Sequence, residues 1–161
     1  MLTPNQLDHF NQQGYLVIQD FIKPQQRHAL MARAQQLIED FEPPIKRSVF
    51  TTDEQERTSD DYFLSSGNQT RFFFEEKAID SDGNFTVAKQ QSINKIGHGQ
   101  HEHDPVYKAT VTALDFNNIG QQLGLNKPRA VQSMHIFKQP GIGGEVGLHQ
   151  DSTFLYTQPK S

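Results

Sequence analysis

The sequence predicts an α+β, mainly β domain with helices at the front and strands behind. Two observations carry this prediction. Apolar stripes at helical spacing fall within the first 44 residues, and short β-rich runs bounded by Gly, Pro, Asn and Asp fill most of the rest. A third observation sets the scale. The chain has 161 residues, 34% of them hydrophobic, with 12 Phe and 4 Tyr as bulky core material. That is enough for one sizeable core.

Taken in order, Thr3 suits an N-cap, Pro4 the first helical position and Gly14 the stop, with Leu7 and Phe10 on one face and Leu2 as a staple. Tyr15-Leu16-Val17-Ile18 reads as a strand ending at Asp20-Phe21. A second helix starts near Pro24. Leu30, Ala34, Leu37, Ile38 and Phe41 recur at steps of three and four, and Pro43-Pro44 stops it. Residues 1–44 therefore form a helix-strand-helix opening. Residues 45–70 are a polar loop; the run from Thr51 to Asp61 lacks apolar periodicity. Residues 71–161 hold most of the strands.

Arg71 to Phe74 resumes as a strand, and Ser81-Asp82-Gly83-Asn84 signals a hairpin turn into Phe85-Thr86-Val87. Gln91 to Ile96 is a further strand, followed by a His-rich loop, Gly97 to Asp104. Asp104-Pro105 is an N-cap followed by Pro. Val106, Tyr107, Val111 and Leu114 give the next helix its apolar face, and Gly120 and Gly124 break it. Arg129 to Phe137 is a strand with Val131, Ser133, His135 and Phe137 on one side and Ala130, Gln132, Met134 and Ile136 on the other. Pro140 to Gly144 is a tight loop, and His149 to Tyr156 the last strand-like run.

Composition excludes several classes. There is no Cys, so disulfides, thiolate metal sites and Cys nucleophiles are out. The net charge of -4 argues against a nucleic-acid partner. No run reaches the 18 or so apolar residues of a membrane span, and Met1-Leu2-Thr3-Pro4 does not open a secretory signal. The expected compartment is the cytoplasm.

Three places could hold chemistry. In His149-Gln150-Asp151, positions two apart on a strand point to one face, so an imidazole and a carboxylate converge as two ligands of a facial Fe(II) triad require. The alternative is a His–Asp hydrogen bond on a strand face. His98, His101, His103 and Asp104 suit Zn(II) or Ni(II), or are ordinary loop histidines. Lys95 lies in an apolar-flanked strand. It either faces solvent or points inward, where an ammonium needs an anion.

The opening Thr3-Pro4-x-Gln6-x-x-x-Phe10-x-x-x-Gly14-Tyr15-Leu16-Val17-Ile18 resembles the phytanoyl-CoA dioxygenase family. So do Ile93 to His98, Gln132 to Pro140, and Gly143-Gly144-Glu145-Val146-x-x-His149-Gln150-Asp151 with the residues through Thr157. The resemblance implies a double-stranded β-helix (jelly roll, cupin-like) whose first part occupies residues 71–161. It implies an Fe(II)- and 2-oxoglutarate-dependent hydroxylase that couples decarboxylation of 2-oxoglutarate to hydroxylation of a substrate C–H bond. His149 and Asp151 match the first two iron ligands, and Lys95 and Met134 match positions that contact 2-oxoglutarate. The implied cofactor set is Fe(II), 2-oxoglutarate as cosubstrate and O2, with ascorbate as an optional addition. The implied partner is a small molecule, a CoA thioester or another organic compound.

The family pattern also has a downstream His, Arg and Trp, and no residue here matches them; the sequence contains no Trp. The expectation is therefore an N-terminal portion of the jelly roll, residues 1–161, lacking its C-terminal strands and inactive alone. A non-catalytic binding or regulatory fragment of the same fold is the rival reading. A cupin-like Zn(II) protein built on the His98–His103 loop is a third.

Overall fold

A computed structural model gives the architecture and describes residues 1–44, 49–50, 61–150 and 158. Helix α1 (Pro4–Gln13) begins with the expected box: the Gln6 amide N–H donates to Thr3 Oγ1 at 3.3 Å, and Thr3 N–H donates to Gln6 Oε1 at 2.9 Å. Gly14 ends it at φ 79°, a left-handed conformation that suits Gly. Tyr15 to Ile18 form no strand. Tyr15 and Val17 are 58% and 66% exposed, so no ladder rewards the β-prone run with burial. This corrects the first strand assignment.

Helix α2 (Pro24–Asp40) buries Ala34 and Ile38, as the periodicity predicts, against a mixed, mostly antiparallel sheet. Its described strands are β1 (Val49–Phe50), β2 (Thr70–Glu75), β3 (Ile93–His98) and β4 (Ser133–Ile136), ordered β1-β2-β3-β4. The first pair is parallel and the other two antiparallel. Phe72, Phe74, Ile93 and Ile96 complete the core with Ala34 and Ile38, and Phe41 stacks on Phe72 with ring centroids 3.9 Å apart.

The remaining α-helices among the described residues are short: α3 (Asp61–Leu64), α4 (Lys89–Ser92), α5 (Gln100–His103), α6 (Pro105–Ala113) and α7 (Phe116–Gln122). Several boundaries differ from the sequence reading, and the stretch read as a polar loop over 45–70 holds β1 and α3. Gln91 belongs to α4, so β3 starts at Ile93. The His-rich stretch is a helical turn rather than a loop, with Gln100 and His101 buried. Gly120 lies inside α7 rather than ending it, because a Cβ there would stand 2.9 Å from the Pro128 ring. The turn at Asp80 to Asn84 forms, with Gly83 N–H on Asp80 O, but the hairpin reduces to a single Ile79–Phe85 bridge. The strand ending at Phe137 keeps only Ser133 to Ile136. Most of the polar run from Thr51, and Asp151 to Thr157 of the last strand-like run, lie outside the described residues. No helix among the described residues is long and apolar enough to cross a membrane.

Asp104 joins two elements. Its Oδ1 accepts from the amides of Val106 (3.0 Å) and Tyr107 (3.2 Å), capping α6. Its Oδ2 accepts from Arg33 Nε of α2 at 2.6 Å. Loss of a cap costs about 1 kcal/mol, and loss of a hydrogen bond to a charged group about 1.5–3 kcal/mol. Asp104→Ala is therefore expected to lower unfolding stability by about 2–4 kcal/mol in urea titrations. Asp104→Asn, which keeps the capping oxygen but not the charge facing Arg33, should lose about 1 kcal/mol less than Asp104→Ala; equal losses would show that the cap contributes nothing.

Candidate functional site

Strand alternation sorts the sheet into two unlike faces. The register pairs Phe73 with Lys95, Lys95 with Ile136, Arg71 with Gly97 and Gly97 with Met134. Cross-strand partners share a face, so Arg71, Phe73, Lys95, Met134 and Ile136 lie opposite the α2 core. Met134 is 42% and Ile136 50% exposed on this side, while Lys95 is only 5% exposed. The ladder thus brings together Lys95 and Met134, which the sequence linked only by resemblance.

Helix α3 and the turn after it cover one end of this face. Arg71 clamps them: Nη1 donates to Tyr62 O and, at 2.8 Å, to Ser65 Oγ, and the guanidinium lies 4.5 Å from the Tyr62 ring centre. The clamp sets Phe63 over Lys95. Lys95 Nζ lies 5.4 Å from the Phe63 ring centroid and 5.2 Å from that of Phe73, within cation–π range. Lys95 therefore points inward rather than to solvent.

His98 completes the wall, its ring 5.7 Å from Phe63 and 5.5 Å from Phe73. Ser66 Oγ donates to Phe63 O, so at 2.7 Å it accepts from His98 Nδ1–H. Burial first, and the Lys95 charge second, push the His98 pKa down from 6.5 to about 4. The other histidines of the cluster go elsewhere. His101 Nδ1 meets Ser133 Oγ at 2.9 Å, and His103 Nε2 meets Asn68 Oδ1 at 2.8 Å. Among the described residues no group of three or more His, Cys, Asp or Glu could hold a metal ion. The Zn(II) or Ni(II) reading of this cluster is corrected accordingly: each ring faces its own partner.

His149 lies beyond β4, exposed, with Nδ1 2.9 Å from Gly147 O. A carbonyl can only accept, so the Nδ1–H of His149 donates to it. Asp151 lies outside the described residues. Two buried features escaped the sequence reading. Tyr107 Oη meets His135 Nδ1 at 2.8 Å on the helix side; burial, then Asp104, raises the tyrosine pKa, and burial lowers that of the histidine. Glu75 is the other, 1% exposed at the end of β2 with Oε1 lacking a hydrogen-bond partner among the described residues. An orphaned buried acceptor costs about 1–3 kcal/mol. Alternation from Arg71 through Phe73 was the signal that could have found it.

The low His98 pKa ties stability to acid. Between pH 6.5 and 4 the unfolded chain binds more protons at this residue than the folded one. Its contribution is complete above pH 6.5 and is lost as the pH falls toward 4. The loss is up to about 3 kcal/mol. Urea titrations of His98→Gln should show a flatter acid dependence in this window than the parent chain; identical slopes would refute the assignment. Lys95→Met should shift the His98 titration upward in proton NMR, and no movement would show that the Lys95 charge is not felt there.

Comparison with known proteins fits this arrangement into a family. The family model described as Phytanoyl-CoA dioxygenase (PhyH) matches residues 10–161. A protein of Arabidopsis thaliana named "Phytanoyl-CoA dioxygenase" is 48% identical over 160 residues, covering 99% of this chain and 56% of its own length. "Phytanoyl-CoA dioxygenase domain-containing protein 1" of Danio rerio is 44% identical over 164 residues, again 99% of this chain and 56% of its own. Its homologue in Caenorhabditis elegans is 40% identical over 154 residues, 94% and 54%. The chain spans about half the length of these curated relatives. Sequence and comparison agree that the chain belongs to the phytanoyl-CoA dioxygenase family.

Proposed function

We propose that this chain supplies the cosubstrate pocket and two iron ligands of an Fe(II)- and 2-oxoglutarate-dependent dioxygenase. The observation that carries the reading is the buried ammonium of Lys95 on the same sheet face as Met134. An inward Lys between two aromatic rings is a poor choice for packing and a good one for a dicarboxylate. Phe63 and Phe73 screen it from water, which strengthens its pull on an anion. Met134 offers an apolar wall beside it. His149 would present Nε2 to iron, and Asp151 is its carboxylate companion by sequence resemblance. Bound together, Fe(II), 2-oxoglutarate and O2 supply the oxidising power that hydroxylates a C–H bond, with succinate and CO2 as coproducts. The chain's residues orient the cosubstrate and keep its site dry.

The same reading makes the sheet one wall of a double-stranded β-helix, with residues 1–161 as part of a single oxygenase domain. Its substrate would be a small organic molecule, a CoA thioester among the options, and ascorbate would serve as an accessory reductant.

Calorimetric titration under anaerobic conditions tests the site. Lys95→Met is expected to weaken 2-oxoglutarate binding at least about tenfold, or about 1.4 kcal/mol, while leaving Fe(II) affinity near that of the parent. His149→Ala should lose the metal and, with it, the metal-dependent part of 2-oxoglutarate binding. Iron affinity untouched by His149→Ala would sink the ligand assignment. Binding of 2-oxoglutarate that needs Lys95 but no metal would favour the non-catalytic module.

A further inference from the structure

The face that carries Lys95 also carries Glu75. It is the last residue of β2, two positions on from Phe73, so it shares that side of the strand. Its Oε2 accepts a hydrogen bond from the Gly144 amide at 2.9 Å. Its Oε1 is buried without a hydrogen-bond partner among the described residues. Gly144 belongs to the loop after β4, and that loop is closed on itself. Gly143 N–H donates to Gln139 O at 2.9 Å, and Lys138 Nζ donates to Gly144 O at 3.2 Å. Gln139 Nε2 reaches Gln90 O at 3.3 Å. The loop is thus a small preformed unit, and Glu75 fastens its far end to the sheet. From Gly144 the chain runs directly to His149.

We infer that Glu75 is a positioning residue: it pins the 138–144 loop to the end of β2 and so fixes where His149 leaves the sheet. The atom that matters is an acceptor facing the Gly144 N–H, buried where water cannot replace it. The β2–loop tether stands on its own geometry. Its consequence for metal binding rests on the function proposed above.

Amide hydrogen exchange on the full chain tests the tether, and Mn(II) titration tests its consequence. In Glu75→Ala the Gly144 amide should exchange at least tenfold faster, with the Ile96 amide of β3 unchanged. Glu75→Gln, which keeps an acceptor oxygen, should restore slow exchange. Unchanged exchange at Gly144 in a folded Glu75→Ala chain would overturn the tether. Should that variant not fold, Glu75→Gln decides: slow exchange supports the tether, fast exchange overturns it. Failure of both variants to fold would overturn the positioning role in favour of a core role. Mn(II) affinity should fall several-fold in Glu75→Ala and recover in Glu75→Gln; equal affinity in all three chains would overturn the link to His149. A parent chain that does not bind Mn(II) counts against the proposed function, and the tether then stands or falls on exchange alone.

Discussion

The β2–β3–β4 ladder is the constraint on which the rest depends. Its period of two makes every second side chain a neighbour across the strands and sends the others to the opposite side. One side becomes a conventional core, Phe72, Phe74 and Ile96 under α2, and a register shift at Phe73/Phe74 brings Ile93 to the same side. The other gathers Arg71, Phe73, Lys95 and Met134. A slip of one residue would exchange these sets, burying an ammonium under the helix and turning Ile96 outward. The apolar side therefore specifies the register, and the register in turn delivers the candidate site.

Local chemistry shows how far the sequence could be read. Thr3-Pro4 and Gly14, the stripe through Ile38, and Asp104-Pro105 each encode their outcome within a few residues, since caps and helical faces are short-range features. The run Tyr15 to Ile18 fails for the opposite reason. β-propensity is fulfilled only by a partner strand, and partnership is a property of the whole chain. The same holds for Gly120, where a distant Pro128 decides what fits. The spacing of His98, His101 and His103 suggested convergence, but a helical turn and three separate acceptors disperse them.

Within the site, sequence and structure contribute different things. Resemblance singled out Lys95 and Met134, yet only the register explains why residues so far apart belong together. The inward direction of Lys95 depends on Phe63, which reaches it because Arg71 clamps α3. No motif announces such a clamp. Glu75 was equally silent, because a carboxylate at the end of an aromatic run reads as a solvated terminus until the loop closes over it. The assignment of His149 and Asp151 still rests on sequence, with the protonated Nδ1 of His149 as the structural detail consistent with it.

Ser133 and Met134 are consecutive residues that face opposite ways. The Ser133 hydroxyl accepts from the His101 amide at 3.0 Å and lies 2.9 Å from that residue's ring, while Met134 stands across from Gly97 on the Lys95 side. β4 is only four residues long, so it has little length over which to absorb a displacement. The residue that holds α5 and the residue that stands beside Lys95 are therefore one peptide unit apart, and β4 joins the supporting layer to the Lys95 face within the shortest span a backbone offers.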